Sequence, residues 1–485
     1  MKMWHKTPAE NPSSTKALRT FLPFCLFVAS AIVLSFLKVI NINLLIGVGV
    51  FCILIGAVIA RDGDRYWRSI FGGMGSYTAM TATLLWLVVG IYGKLLLAGQ
   101  LADGLVWAIG ALHMNEALFV PLVFVFSGIF AISTGSGFGT ICAMAMVLYP
   151  ASVMLGNSGA LTAGAIVSGA ALGDSISLVS DTTVIAAVTQ TKGETSPLTP
   201  PREGGESDTD EDSGVQTERI GTTVRARVPV VALSAGIALV LFILSCLLFQ
   251  SPSTKAADRS DEDALGLIML IPTVLVVLLS LRRVNMFVTL FAGILLSVIL
   301  GLSCGLFTTW SLLHVENGDA GGVIIEGIAG MTSISILLMI VVSLSGLVVS
   351  KDGMETIERI VSSLGVKTAR GAELLLFCMI TMAGILIAIV NTIANICIAP
   401  LVNTIGQRYH VPTLRRTTLL AATICTFPFI LPYGGSVILL LQSVETTGCE
   451  GLQATDCLFT AFYPIVLFIV IFISCLYEKT DQTHP

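Results

Sequence analysis

Residues 173–183, Gly-Asp-Ser-Ile-Ser-Leu-Val-Ser-Asp-Thr-Thr, set two carboxylates and five hydroxyls inside an apolar, small-residue stretch that runs from Gly159 to Val188. An ionised Asp at the centre of a membrane helix costs ~2.5–3.5 kcal/mol, so such a knot is tolerable only where it faces protein, water or an ion. Carboxylate, hydroxyl and backbone oxygens together suit a small, hard cation such as Na+. A carboxylate taken out of water holds its proton more tightly, and a bound cation displaces that proton. Such a group holds a proton or a cation, rarely both, which is the chemistry of cation/proton exchange. Asp174 and Asp181 lie two turns apart and would share one face of a continuous helix. Asp181, followed by Thr182-Thr183, also fits a helix-capping acceptor.

Three further polar interruptions are expected to converge on this one. Ser133-Thr134-Gly135-Ser136-Gly137 breaks the apolar segment 117–155, and Asn391-Thr392 with Asn395 breaks 372–405. The last interruption holds Pro428, Pro432, Tyr433, Gly434, Gly435 and Ser436. Proline removes backbone donors there, and glycine frees the chain. Unwound backbone at such breaks offers carbonyls and helix ends to ions. Beyond the two Asp, the expected ligands are Ser177, Ser180, Thr182, Thr183, Ser133, Thr134, Ser136, Asn391, Thr392, Asn395, Tyr433 and Ser436. Gly135, Gly137 and Gly173 are expected to open the helices of the first half.

The elements that must hold these groups are apolar helices. The 485-residue chain is 54% hydrophobic and 12% charged, with a mean hydropathy of +0.89. Soluble domains carry about 25% charged residues. Apolar runs near 21–37, 41–60, 72–98, 227–249, 265–281, 285–306, 331–350 and 458–476 are each long enough to cross a ~30 Å hydrocarbon core as helix. The fold class is an all-α polytopic membrane protein. Lysine and arginine decide its topology. With 117–155 and 372–405 as re-entrant hairpins and the amino terminus inside, 22 of the 26 Lys and Arg are cytoplasmic; with both segments crossing, the split is 13 to 13. The reading is ten transmembrane helices and two hairpins in a cell (inner) membrane, with both termini cytoplasmic. The basic amino end also fits a signal peptide, but an uncleaved first helix is expected.

Residues 1–19 form the cytoplasmic amino end. A first repeat, 20–249, contains three spans, the hairpin 117–155, a broken helix 159–190 and a final span. After a connecting loop at 250–264, residues 265–476 repeat the series, with the hairpin at 372–405 and the broken helix at 414–442; 477–485 is a tail. Five spans per half is an odd number, so the halves are inverted, and Leu84–Gly93 aligns without gaps onto Leu337–Gly346. Inverted repeats with interrupted helices at the midplane mark secondary transporters. The loop 192–226, with eight acidic residues and few apolar ones, is expected to be disordered.

Other chemistries find little support. Most of the eleven cysteines lie in apolar runs and read as small hydrophobes; Cys449 and Cys457 share a polar loop and either pair or stay free. The five histidines lack ligand spacing, and no Gly-rich phosphate loop ends in Lys-Ser or Lys-Thr. No cofactor, resident metal centre or nucleic acid is expected. An aspartyl enzyme would draw its two Asp from two helices, whereas both here sit in one break, so an enzyme is not expected. In sequence no Lys or Arg lies near the four breaks, which weighs against organic anions, since these need a fixed positive partner or helix N-termini. Transport of a small carboxylate (malate, lactate) or amino acid, Na+-coupled or by exchange, is the alternative to Na+/H+ exchange.

At these residues the chain resembles the NhaC-type Na+/H+ antiporters of the ion-transporter superfamily. The family pattern Gly-Asp-x-x-Ser-Pro-x-Ser-Asp-Thr-Thr is matched by Gly173, Asp174, Ser177, Ser180, Asp181, Thr182 and Thr183. Its Thr-Gly-Thr-Ser-Trp-Gly-Thr pattern is similar to Thr134-Gly135-Ser136-Gly137-Phe138-Gly139-Thr140, and Arg415-Arg416 followed by Leu431-Pro432-Tyr433 resembles its second-half break. Leu178 stands where the family has Pro, Gly137 replaces Ser, and Phe138 replaces Trp. The resemblance implies Na+ and H+ as cargo at Asp174 and Asp181, a homodimer in the bilayer, and an elevator-like motion of the hairpin-bearing part.

Overall fold

The computed structural model describes residues 14–191 except 38, 40, 61 and 179, then 209–249, 264–348 except 283 and 317, and 368–477 except 389 and 450. The protein is an all-α polytopic membrane protein. Nine helices among the described residues are long and apolar enough to cross a bilayer, or ten if the bent pair Ala454–Thr460 and Phe462–Tyr477 counts as one span.

Helices α1 (Ser14–Phe36), α2 (Ile42–Ile59), α3 (Gly63–Met74), α4 (Tyr77–Ala98) and α5 (Leu101–Ala111) lead into the first hairpin. The short helix α5 has no counterpart among the expected spans, and α3 occupies what reads in sequence as a loop. The hairpin is α6 (Phe119–Thr134) and α7 (Gly137–Met154), followed by α8 (Gly159–Ile176) and α9 (Asp181–Thr191). Next come α10 (Thr209–Phe249), α11 (Leu270–Leu281), α12 (Met286–Ser303), α13 (Thr309–Leu312), a two-strand ribbon of β1 (His314–Glu316) and β2 (Asp319–Gly321), and α14 (Val323–Val348). The second hairpin is α15 (Ala369–Leu386) and α16 (Asn391–Arg408); α17 (Thr413–Ile424), α18 (Gly435–Glu445), α19 (Cys457–Thr460) and α20 (Phe462–Tyr477) complete the chain.

The segment 192–226 differs from its expectation. Residues 192–208 lie outside the described residues, but helix α10 begins at Thr209. No proline interrupts 209–228, so the polar stretch continues the apolar helix that follows it. The connecting loop 250–264 and the tail 477–485 lie almost wholly outside the described residues. Cys449 and Cys457 are free thiols.

The first hairpin folds back on itself. Gly135 takes a left-handed φ of 68° at the end of α6, and Ser136 caps α7 by accepting from the Gly139 N–H at 3.1 Å. At the far end, the Asn157 amide just beyond α7 donates to the Glu116 carbonyl just before α6, at 3.2 Å. Helix α8 then runs alongside α6, with Gly169 against Ser127 and Gly173 against Ala131. The second hairpin closes at the opposite end. Glu373 in the second turn of α15 meets Arg415 in the first turn of α17 at 3.2 Å, and Gly406 near the end of α16 lies against the Arg416 side chain. Arg416 also donates to the Gln190 carbonyl at the end of α9. The two hairpins therefore approach each other tip to tip, from the two ends of one bundle.

Gly173 continues α8 rather than breaking it; the break falls at 177–180, after Ile176. The reason for glycine is contact: a Cβ at 173 would run into the Cβ and backbone of Ala131. Gly173→Ala is accordingly expected to force α6 from α8 and lower stability by ~1–3 kcal/mol, read as a fall in the detergent unfolding midpoint. Gly236→Ala, where nothing lies within 4 Å, should leave that midpoint unchanged or raised.

Candidate functional site

Asp174, in the last turn of α8, is 5% exposed, and its carboxylate joins the two hairpin tips. Oδ1 accepts from the Gly137 N–H at the first turn of α7, at 2.9 Å, and from the Ser180 hydroxyl at 3.4 Å. Oδ2 accepts from the Asn391 amide, the first residue of α16, at 2.9 Å. The first turn of a helix leaves N–H groups unsatisfied, and a carboxylate there also meets the positive end of the helix dipole. Glycine at 137 is what permits the approach, since a Cβ would stand 2.7 Å from Oδ2.

The break after α8 is stitched to both hairpins. The Ser177 hydroxyl donates to the Ile132 carbonyl of α6 at 2.9 Å, and Thr182 donates to the Asp174 carbonyl at 3.1 Å. The Ser180 and Thr182 hydroxyls share a 2.9 Å hydrogen bond. From the second hairpin, the Asn395 amide donates to the Thr182 carbonyl at 2.8 Å, while its own Oδ1 is buried without a partner. Tyr433 bonds the Ile385 carbonyl at 3.1 Å, the Gly435 N–H bonds the Ala388 carbonyl at 3.1 Å, and the Ser436 hydroxyl is buried without a partner. Pro428, Pro432 and Gly434 lie in the buried turn between α17 and α18. A Cβ at Gly434 would collide with the Pro428 carbonyl.

The four breaks thus meet, but not every expected ligand turns inward. Ser133 and Thr134 donate to the Ile129 and Phe130 carbonyls of their own helix, and Ser136 serves as a cap. Thr392 is buried behind Asn391 and donates its N–H to the Asn391 side chain. Asp181 opens α9 with an exposed side chain, so the two carboxylates do not share one buried site. The groups converging on the Asp174 carboxylate are donors rather than the acceptor oxygens a cation needs. Among the described residues no three His, Cys, Asp or Glu cluster as metal ligands.

One functional candidate was missed in sequence. Arg227 of α10 is buried at 1% exposure and donates from Nη2 to the Thr183 hydroxyl at 3.0 Å. A basic residue therefore does sit at the first break. Counted by position alone, Arg227 belongs with the cytoplasmic loop; the signal that could have found it is its place one residue before a long apolar run. Arg416 is buried too, donating to the Gln190 carbonyl and the Thr413 hydroxyl.

No family model matches the chain. Over 183 residues, 37% of its length, it is 33% identical to the arginine/ornithine antiporter ArcD of Halobacterium salinarum, and the match spans 36% of that protein's length. Among solved structures, the YdaH transporter of Alcanivorax borkumensis aligns over 94% of this chain and 97% of its own, at 14% identity and a TM-score of 0.42.

The carboxylate geometry sets an expectation for Asn391→Asp, which puts a second acid against Asp174 Oδ2. Like charges that close cannot both ionise without penalty. The variant should lose ~1–3 kcal/mol at neutral pH and recover part of it on acidification, when one proton can bridge the pair. Unfolding midpoints across a pH series would show the difference from wild type narrowing as pH falls; a constant difference would contradict the contact.

Proposed function

We propose that this chain is a secondary antiporter in which Asp174 holds the proton. The observation that carries the reading is a single buried carboxylate held between two opposed hairpin tips. Protonation turns one acceptor oxygen into a donor, and both oxygens now face N–H groups. A proton on Oδ1 has the Ser180 hydroxyl as acceptor, whereas a proton on Oδ2 displaces the Asn391 amide and loosens the second tip, which ties a chemical event to elements that can move. Meeting of interrupted helices from two halves with the same element order is the arrangement of alternating-access transporters. The relative that aligns over 37% of the chain is itself named an antiporter. An inner-membrane location with cytoplasmic termini, a homodimer and an elevator-like motion of the hairpin-bearing part belong to the same proposal.

Two cargoes fit this machinery. Na+, as in the NhaC-type resemblance, would draw on Asp174, the Ser180 and Thr182 hydroxyls and the free Oδ1 of Asn395. A small amino acid or carboxylate is favoured by the buried Arg227 and by the relative's name, which specifies arginine and ornithine. The second cargo has the better support, because the Asp174 oxygens are already filled by donors and Asp181 stands apart.

In proteoliposomes of the purified protein, an imposed pH gradient should drive exchange of labelled Na+, arginine, ornithine, lactate or malate. Asp174→Asn should reduce that flux to the level of empty vesicles. Wild-type flux in the variant would remove Asp174 from the mechanism.

A further inference from the structure

The guanidinium of Arg227 is a buried charge with most of its bonding capacity unused. Nη2 has the Thr183 hydroxyl, but Nε and Nη1 have no partner. Among the described residues no carboxylate pairs with it; the ion pairs there are Lys94–Glu326 and Arg415–Glu373. The groups facing it come from three other elements. Thr183 belongs to α9, while Cys425 at the end of α17 and Tyr463 at the start of α20 lie within its electrostatic reach. The Tyr463 hydroxyl is also fully buried and without a partner. Asp174 lies beyond Thr182, with its oxygens occupied by Gly137, Ser180 and Asn391.

A buried arginine without a counter-charge is strongly unfavourable, and orphaned buried polar groups call for a specific explanation. Here the two free guanidinium nitrogens are donors without an acceptor, and the buried Tyr463 hydroxyl lies within electrostatic reach of them. Arginine's planar fork matches a carboxylate bidentately, more closely than a lysine could. The Thr183 bond also holds the fork level with the break beside Asp174, where a cargo would be exposed in turn to each side.

We infer that Arg227, with Tyr463, binds the carboxylate of a small organic cargo, an amino acid or a hydroxy acid, at the site built on Asp174. This rests on the antiporter reading and adds the residues that hold the carboxylate of what is carried. Binding is tested on the purified full-length protein by thermal shift, and transport by counterflow in proteoliposomes. The probes are acetate, L-lactate, L-malate and L-arginine, with lactamide and L-argininamide as controls that lack the carboxylate. At least one carboxylate should stabilise the protein and support counterflow, while its amide does neither; the lactate and arginine arms separate a hydroxy acid from an amino acid. Arg227→Lys, which keeps the charge, should raise the half-saturating concentration about tenfold, and Tyr463→Phe should raise it less. Should Arg227→Gln fail to fold, those two variants carry the test. Stabilisation by no carboxylate, equal effects of acid and amide, or an unchanged half-saturating concentration in Arg227→Lys would each overturn the inference. Asp174→Asn separates the two readings: loss of proton-driven flux with carboxylate stabilisation retained supports both, whereas the same loss in a protein that binds no carboxylate leaves only the antiporter.

Discussion

The carboxylate of Asp174 is the point on which the two halves of the molecule agree. Each hairpin reverses direction inside the bundle, and each reversal leaves helix-terminal N–H groups where water is scarce. An unsatisfied buried donor costs ~1–3 kcal/mol, so both tips need an acceptor. Oδ1 takes a backbone N–H of the first tip, and Oδ2 takes the side-chain amide of Asn391, whose own oxygen caps the Thr392 N–H of the second. Because the tips arrive from opposite ends, neither half can complete the site alone.

Close approach is the second condition, and small residues provide it. Helix α8 lies along α6 with Gly169 and Gly173 facing Ser127 and Ala131. Only that proximity brings Asp174 within reach of the turn that ends α6 and begins α7. Gly137 removes the last obstacle, a Cβ that would stand against the carboxylate. Phe138, one residue on, turns instead toward α4 and meets Trp86 edge-on at 5.5 Å. The tip is thus pinned by a polar contact on one side and an aromatic one on the other.

How much of this could be read in advance depended on whether a residue's meaning was local. The runs at Ser133–Gly137 and Gly173–Thr183 carry their signal within a few residues, since polar and helix-weakening groups in an apolar stretch have few other uses, and both mark turns or breaks. Charge counting reads 117–155 and 372–405 as hairpins because it sums over the whole chain, whereas by length and composition α6 and α7 could each cross a bilayer. The hydroxyls of Ser133 and Thr134 have a local use that the sequence reading did not weigh, since a helix can take their protons on its own carbonyls four residues back. Gly173 read as a breaker, although its use is contact with a helix some forty residues earlier. Arg227 was passed over for a related reason: its partner, Thr183, is 44 positions away, and its place at the edge of an apolar run was read only as a loop charge.

A buried Arg227 in the same bundle as Asp174, although the two do not pair, changes what the site can be expected to do with charge. A site holding only a carboxylate makes proton and cation rivals, because each neutralises the same group. A site holding one fixed acid and one fixed base is neutral when both are ionised, and added Na+ would then carry an unbalanced charge into a region of low dielectric. Protonating Asp174 instead removes a negative charge from the site and strengthens the attraction of Arg227 for an anion. Proton and carboxylate would then assist each other, and the coupling is reciprocal by linkage. The sign of pH dependence in cargo binding therefore turns on whether Arg227 takes part: competition belongs to a lone carboxylate, and cooperation to a site that uses both groups.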